Sequence, residues 1–438
     1  MTRTLLDRLS PAGPRPRADR PAAQSLADRL AARARRKASW LVLVLGALLV
    51  VLAANAGSQH ARLGVGAGTG GGPVVSGPVW LFCGVGVLLA LAALAVIRTA
   101  DASPAGRARV LAATLVVLLA FVIGLLAWAA RSGQVSVGGV LAVSVGGAIP
   151  IMLGSTSGVL SERSGVFNIA IEAEFLAGAF VGALVGSTTH STVIGLLSGV
   201  LAGGLVGQLL AVMVIRYRVD QVVAGIILVS LVTGLTGYLT EQVLTPDSAA
   251  LNSPPTFQPI ALPLLDRIPV VGQALFDQSP LFYLAILVVV GVEVLLRATR
   301  VGLRIRAVGE NPAAAESSGI EVRRLRYLSV AGAGAIAGAG GAYFTVGSTG
   351  QFVAAMTSGL GYVALAAVIL GSWRATQAAA AALLFGFASS IATTFGLLKV
   401  SISPSLLLMA PYVITIVVVA GVTVSGKAPA AAGGRLDD

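Results

Sequence analysis

Long apolar runs separated by short polar intervals dominate this chain, at residues 39–56, 79–97, 108–130, 136–153, 166–187, 193–215, 221–241, 280–297, 327–347, 359–373, 375–397 and 404–424. About 20 apolar residues in a helix cross a bilayer, so the pattern predicts an all-α polytopic membrane protein with ten to twelve transmembrane helices. The run at 359–373 is short enough to be re-entrant. One polar interval stands out. Between Arg297 and Tyr327 lie Arg300, Arg304, Arg306, Arg323, Arg324 and Arg326, with Glu310, Glu316 and Glu321 among them. Inside it the sequence predicts a short helix: Asn311 as cap, Pro312 at the first helical position, Ala313 to Glu316 as propagating residues, and Gly319 as a left-handed stop. A capped, charged helix between two membrane segments reads as a docking surface.

Composition agrees with a membrane class. Of 438 residues 56% are hydrophobic and 11% charged, and the mean hydropathy is +0.90, more apolar surface than a soluble core hides. The formal charge of +12 would suggest nucleic acid in a soluble protein, but topology accounts for it here, and no nucleic-acid partner is expected. With the N-terminus in the cytoplasm and every run spanning, all lysines and arginines except Arg62, Arg131, Arg267 and Lys399 fall on the inner side. The island at 297–327 is then cytoplasmic. Residues 1–38, arginine-rich and carrying Pro11, Pro14, Pro16 and Pro21, read as a disordered or surface-lying basic tail. The longest outer loop, 242–279, is stiffened by Pro246, Pro254, Pro255, Pro259, Pro263 and Pro269, which suits reception of a soluble partner. Cys83 is the single cysteine, so no intrachain disulfide forms.

Ser164–Ile171 (SGVFNIAI) and Ser358–Ala366 (SGLGYVALA) share a small-residue entry into a glycine-bearing apolar segment. Paired interruptions of this kind point to a translocation pathway built from two related halves, which makes Ser164, Gly165, Ser358, Gly359 and Tyr362 pathway candidates. Carboxylates at membrane depth cost about 3 kcal/mol on insertion scales and call for a reason. Glu172 and Glu174 are such residues, and two positions apart on a helix they point about 200° from each other. Glu172 is the pathway candidate, because Asn168 lies four residues earlier and helical spacing puts both on one face, to bind a polar solute or each other. A structural hydrogen bond between helices is the plainer alternative. Glu293, four residues before Arg297, reads as its ion-pair partner.

Four blocks in order resemble the permease subunits of ATP-binding-cassette (ABC) importers of the branched-chain amino acid, ribose and nucleoside group. Ser161–Phe180 (SERSGVFNIAIEAEFLAGAF) is similar to their signature, and Arg300–Ile320 (RVGLRIRAVGENPAAAESSGI) to their cytoplasmic coupling loop. Gly359–Trp373 is similar to their second pore segment and Ala380–Ala388 to the helix after it. The resemblance covers roughly residues 140–424. Asn168, Ile169 and Glu172 follow the nucleoside form N-I-x-x-E, while Ala173 stands where the family usually has glycine and Glu174 where it usually has an apolar residue.

The resemblance implies a basic tail at 1–38, additional helices at 39–135, a permease core at 136–424 and a C-terminal tail at 425–438. It implies that Gly309, Glu310, Asn311, Pro312, Ala314, Ala315, Gly319 and Ile320 meet a cytoplasmic ABC ATPase that carries ATP and magnesium, leaving this chain without a cofactor or hydrolytic activity of its own. A second, homologous permease chain and an external substrate-binding lipoprotein are the other implied partners, in a bacterial cell membrane. The expected solute is a nucleoside; simple sugars or branched-chain amino acids are the alternatives, and a proton-coupled secondary transporter is the competing class. Gly421–Ala428 (GVTVSGKA) lacks the Ser or Thr that a phosphate loop places after its lysine, so it is set aside as a nucleotide site. His60 and His190, far apart and without cysteine neighbours, do not form a metal-ligand pattern.

Overall fold

The computed structural model describes residues 20–64, 74–101, 103–132, 134–263, 265, 268, 271–398, 409 and 428–433. The expected span at 404–424, the 421–428 motif apart from Ala428, and the C-terminal tail apart from 428–433 lie outside the described residues. The chain divides into two compact units, residues 1–63 with 75–134, and residues 64–74 with 135–438.

The first unit holds α1 (Arg20–Ala56), α2 (Val79–Thr99) and α3 (Pro104–Ala129). Residues 20–38, expected in a disordered or surface-lying tail, are the first part of α1, since the Ala, Leu, Arg and Lys that fill this stretch are strong helix formers. Ser103 caps α3 by accepting from Gly106 N at 3.0 Å. Val42, Leu45, Ala90, Ala93, Leu94, Ile97 and Val117 form the small core between the three helices.

The second unit runs α4 (Val137–Arg163), α5 (Ile171–Thr189), α6 (Thr192–Ala211), α7 (Gln221–Leu239), α8 (Ser248–Leu251), α9 (Val271–Phe276), α10 (Pro280–Ala298), α11 (Arg300–Glu310), α12 (Pro312–Ser317), α13 (Val322–Phe344), α14 (Leu360–Leu370) and α15 (Ala375–Leu397). Helices α6, α7 and α13 each continue into a π-helical turn, at Val212–Arg216, Thr240–Leu244 and Thr345–Thr349. Among the described residues ten helices are long and apolar enough to cross a membrane. The run at 359–373 is the exception, an 11-residue helix.

Helices α4, α5, α13 and α15 lie inside, where Ile149, Ile151, Leu153, Phe175 and Phe385 are fully buried. Helices α6, α7 and α10 are the outer ones. Leu201, Leu205, Leu231, Leu235, Leu287 and Val290 stay exposed on them, an apolar surface that suits lipid. Since lipid is as apolar as the core, helix association there depends on close packing of small residues. Gly199, Gly203 and Gly207 of α6 are spaced by four and meet Gly334 and Gly338 of α13. A Cβ on Gly334 would stand 2.5 Å from the Gly203 carbonyl oxygen and 2.9 Å from Gly207 Cα. These are backbone atoms, which no rotamer change can move.

The loop at 242–279 is pinned at several points. Phe257 N donates to Val346 O at 2.9 Å, and Asn252 Nδ2 and Phe352 O, with Phe352 N and Asn252 Oδ1, form a reciprocal pair at 2.9 and 2.6 Å. Ile260–Ala261 pairs antiparallel with Asp277–Gln278.

Gly334→Val is expected to lower stability by about 1–3 kcal/mol or more, read as the unfolding midpoint of the detergent-purified chain. Gly234→Ala, where an added methyl meets nothing within 4 Å, should leave that midpoint in place. Equal midpoints for Gly334→Val and the parent would remove the glycine seam as a structural requirement.

Candidate functional site

Two backbone breaks interrupt the inner helices. The first lies between α4 and α5. Gly165 takes φ +88°, a conformation side chains rarely adopt, and α5 does not begin until Ile171. The freed polar groups find local partners: Ser161 Oγ donates to Val166 O at 2.8 Å, Ser164 Oγ donates to Ser161 O at 2.7 Å, and Phe167 N donates to Gln221 Oε1 at 2.5 Å. The second break lies between α13 and α14, where Gly350, Ala355, Ser358 and Gly359 all have positive φ.

One side chain joins the breaks. The Glu172 carboxylate, in the first turn of α5, accepts from Thr357 Oγ1 at 2.5 Å, from Gly359 N at 2.8 Å and from Gly361 N at 2.7 Å. Gly359 and Gly361 sit at the start of α14, whose first amides have no intrahelical acceptor. An anion there meets both the orphan donors and the positive end of the helix dipole. Glu172 thus caps a helix more than 180 residues away in sequence.

Asn168 does not share a face with Glu172 as helical spacing suggested. It lies ahead of α5, in irregular chain before the turn at 169–170, so the four-residue spacing has no helical meaning. Its Nδ2 instead donates to both carboxylate oxygens of Glu174 at 3.1 Å, and both residues are fully buried. The pathway candidates therefore separate. Glu172, Ser358, Gly359 and the half-exposed Tyr362 gather at the second break, while Ser164 and Gly165 lie against the polar loop, where Arg326 Nε donates to Ser164 O at 3.4 Å.

That loop holds the expected short helix, α12, and ahead of it a second helix, α11, that was not expected. Thr299 caps α11 through Gly302 N at 3.0 Å, Asn311 caps α12 through Ala314 N at 3.0 Å, and Gly319 has φ +79°. Val308, Ala315 and Val322 form its small core, with Ile320 packed against them. Glu310, Asn311, Ala313, Ala314 and Glu316 are exposed. The loop rests on the end of α4: a Cβ on Gly309 would meet the Arg163 carbonyl carbon at 2.9 Å and Gly165 N at 3.3 Å, and Glu310 pairs with Arg163 at 3.9 Å. Glu293 and Arg297 form the expected ion pair at 2.6 Å.

Sequence reasoning missed three residues here. Glu162 is fully buried and accepts from Trp373 Nε1 at 2.5 Å, while Arg163 Nε donates to Trp373 O at 3.0 Å. The end of α4 is thereby tied to the turn before α15. The only available signals were a charged pair beside an apolar run and a lone tryptophan, Glu162 and Trp373 standing 211 positions apart.

A family profile described as branched-chain amino acid transport system / permease component matches residues 140–419. The guanosine ABC transporter permease protein NupQ of Bacillus subtilis is 35% identical over 297 residues, 65% of this chain and 92% of that protein. The nucleoside ABC transporter permease protein NupC of Lactococcus lactis is 35% identical over 280 residues, 62% of this chain and 88% of that one. A putative glucose ABC transporter permease protein, TsgC13 of Haloferax volcanii, is 32% identical over 272 residues, 61% of this chain and 80% of its own length. No solved structure matches. The profile covers more than half of the chain and takes in both backbone breaks and the capped loop between them, so this multi-pass membrane protein belongs to the branched-chain amino acid transport system permease family.

Proposed function

We propose that this chain forms a translocation pathway for nucleosides in an ABC importer and is driven by a separate cytoplasmic ATPase that binds ATP and magnesium. The observation that carries the transport mechanism is the seating of the capped α11–α12 loop, through Gly309 and the Arg163–Glu310 pair, on the break that leads into α5. A rigid displacement of α12 reaches Gly165 with little slack, and Glu172 carries it from α5 to α14. Alternating access then follows from two breaks that move as one element. The nucleoside as solute is supported by the two relatives named for guanosine and nucleoside transport.

The exposed surface at Glu310, Asn311, Ala314 and Gly319, with the partly buried Pro312, is the docking face for the ATPase, and Gly309, Ala315 and Ile320 hold it in shape. A second, homologous permease chain completes the pathway, and the pinned loop at 242–279 receives an external substrate-binding lipoprotein. In this reading α1–α3 are an addition to a permease core that starts near α4. The N-terminus and the arginine loop face the cytoplasm of a bacterial cell, because arginines gather at that end of the spans. A proton-coupled carrier would have no use for the capped, exposed α12.

Ala314→Trp or Glu310→Arg is expected to cut ATP-driven uptake of labelled guanosine by about tenfold or more, the effect of losing roughly 1.4 kcal/mol at the docking face, with membrane insertion unchanged. Uptake at the parental rate in both variants would take the coupling role away from α12. Glu172→Gln should lower the unfolding midpoint, since charge-assisted hydrogen bonds contribute about 1.5–3 kcal/mol, and should slow turnover more than it weakens solute affinity. Unchanged transport kinetics with a lowered midpoint would return Glu172 to a structural role alone.

A further inference from the structure

A cavity of about 460 Å³ opens at the end of the second unit that carries the arginine loop, lined by Arg163, Glu293, Leu296, Arg297, Arg306, Trp373 and Arg374. Two of its arginines are engaged. Arg297 pairs with Glu293 at 2.6 Å, and Arg163 donates to Trp373 O at 3.0 Å and faces Glu310 at 3.9 Å. Glu293 is itself occupied, since its second oxygen accepts from Thr376 N at 3.3 Å. The other two are not balanced. Arg306 Nε is buried without a hydrogen-bond partner, and among the described residues no carboxylate pairs with Arg306 or with the exposed Arg374. Both lie close enough to Arg163 for their like charges to act on it.

Four guanidinium groups from α4, α10, α11 and the start of α15, facing one space with one wall carboxylate, leave a surplus of positive charge and an unused buried donor. A tetrahedral oxyanion is the partner such planar donors fit best. The cavity also adjoins apolar surface, because Val290 and Val294 of α10 are exposed one turn or less from Glu293. Basic pockets between membrane helices are where phospholipid headgroups bind.

We propose that this cavity binds a phosphate group whose negative charge is not neutralised by an attached cation, with Arg306 and Arg374 as its principal ligands and Arg163 as a third. The bound anion bridges α11 to α4 and α15, and so sets how firmly the loop that carries α12 is held. The site is independent of the identity of the transported solute.

The test is binding of three probes to the full chain purified in detergent, followed by native mass spectrometry and by the unfolding midpoint: phosphatidylglycerol, phosphatidylcholine with the same acyl chains, and inorganic phosphate. Phosphatidylglycerol is expected to bind and raise the midpoint, phosphatidylcholine to do neither, and Arg306→Gln with Arg374→Gln to weaken phosphatidylglycerol about thirtyfold. Protection by inorganic phosphate as well, lost in the same variant, would identify the phosphate as coming from solution; protection by the lipid alone would identify a headgroup. If the double variant shows an altered gel-filtration profile, Arg374→Gln alone, at an exposed position, carries the test with a loss of several-fold. Parental affinity in the folded variants, or equal binding of phosphatidylcholine, would overturn the proposal.

Discussion

Unwound backbone within a membrane helix bundle survives only where protein groups satisfy its amides and carbonyls, because lipid offers none. The proposed transport mechanism depends on how that constraint is met at the two breaks. At the second break one carboxylate holds the start of α14, Glu172 accepting from Thr357, Gly359 and Gly361, while Asn252 pairs with both backbone groups of Phe352. The same anion that makes a short helix tolerable also ties it to α5. A buried charge that would be costly alone is stabilised by three donors and a helix dipole. The first break is satisfied differently, by the hydroxyls of Ser161 in the last turn of α4 and Ser164 just after it, and by Gln221 from the start of α7.

These two solutions give the bundle its mechanical order. Gly165 and Ser164 lie against Gly309 and Arg326, so one end of the first break touches the exposed loop. Its other end leads directly into the turn that holds Glu172. The path from α12 to α14 thus runs through close backbone contacts and short hydrogen bonds, with few flexible side chains between. Around it, glycine seams let α6 and α13 pack at backbone contact, which favours motion of whole helices over local repacking.

How much of this was legible in the sequence follows from where the determining signals lie. The capped helix α12 was readable because its signals are local: Asn311 before Pro312, and Gly319 after the helix, each act within a few residues. The spans were readable from the length of apolar runs. The pairing of Asn168 was not, because α5 begins after Ala170, which has no capping side chain to announce the start. Helical periodicity, carried three residues back beyond the start of α5, assigned Asn168 to Glu172 instead of Glu174. Glu172 with Gly359, and Glu162 with Trp373, are contacts across roughly half the chain, and no local pattern encodes them.

The central claim is that this chain moves nucleosides only when a partner hydrolyses ATP. The most direct measurement is uptake of labelled nucleoside into vesicles containing the complex purified from native membranes in mild detergent. The account predicts co-purification of an ATPase and uptake that requires ATP and does not respond to a proton gradient. Uptake by this chain alone, driven by a proton gradient and indifferent to ATP, would contradict it.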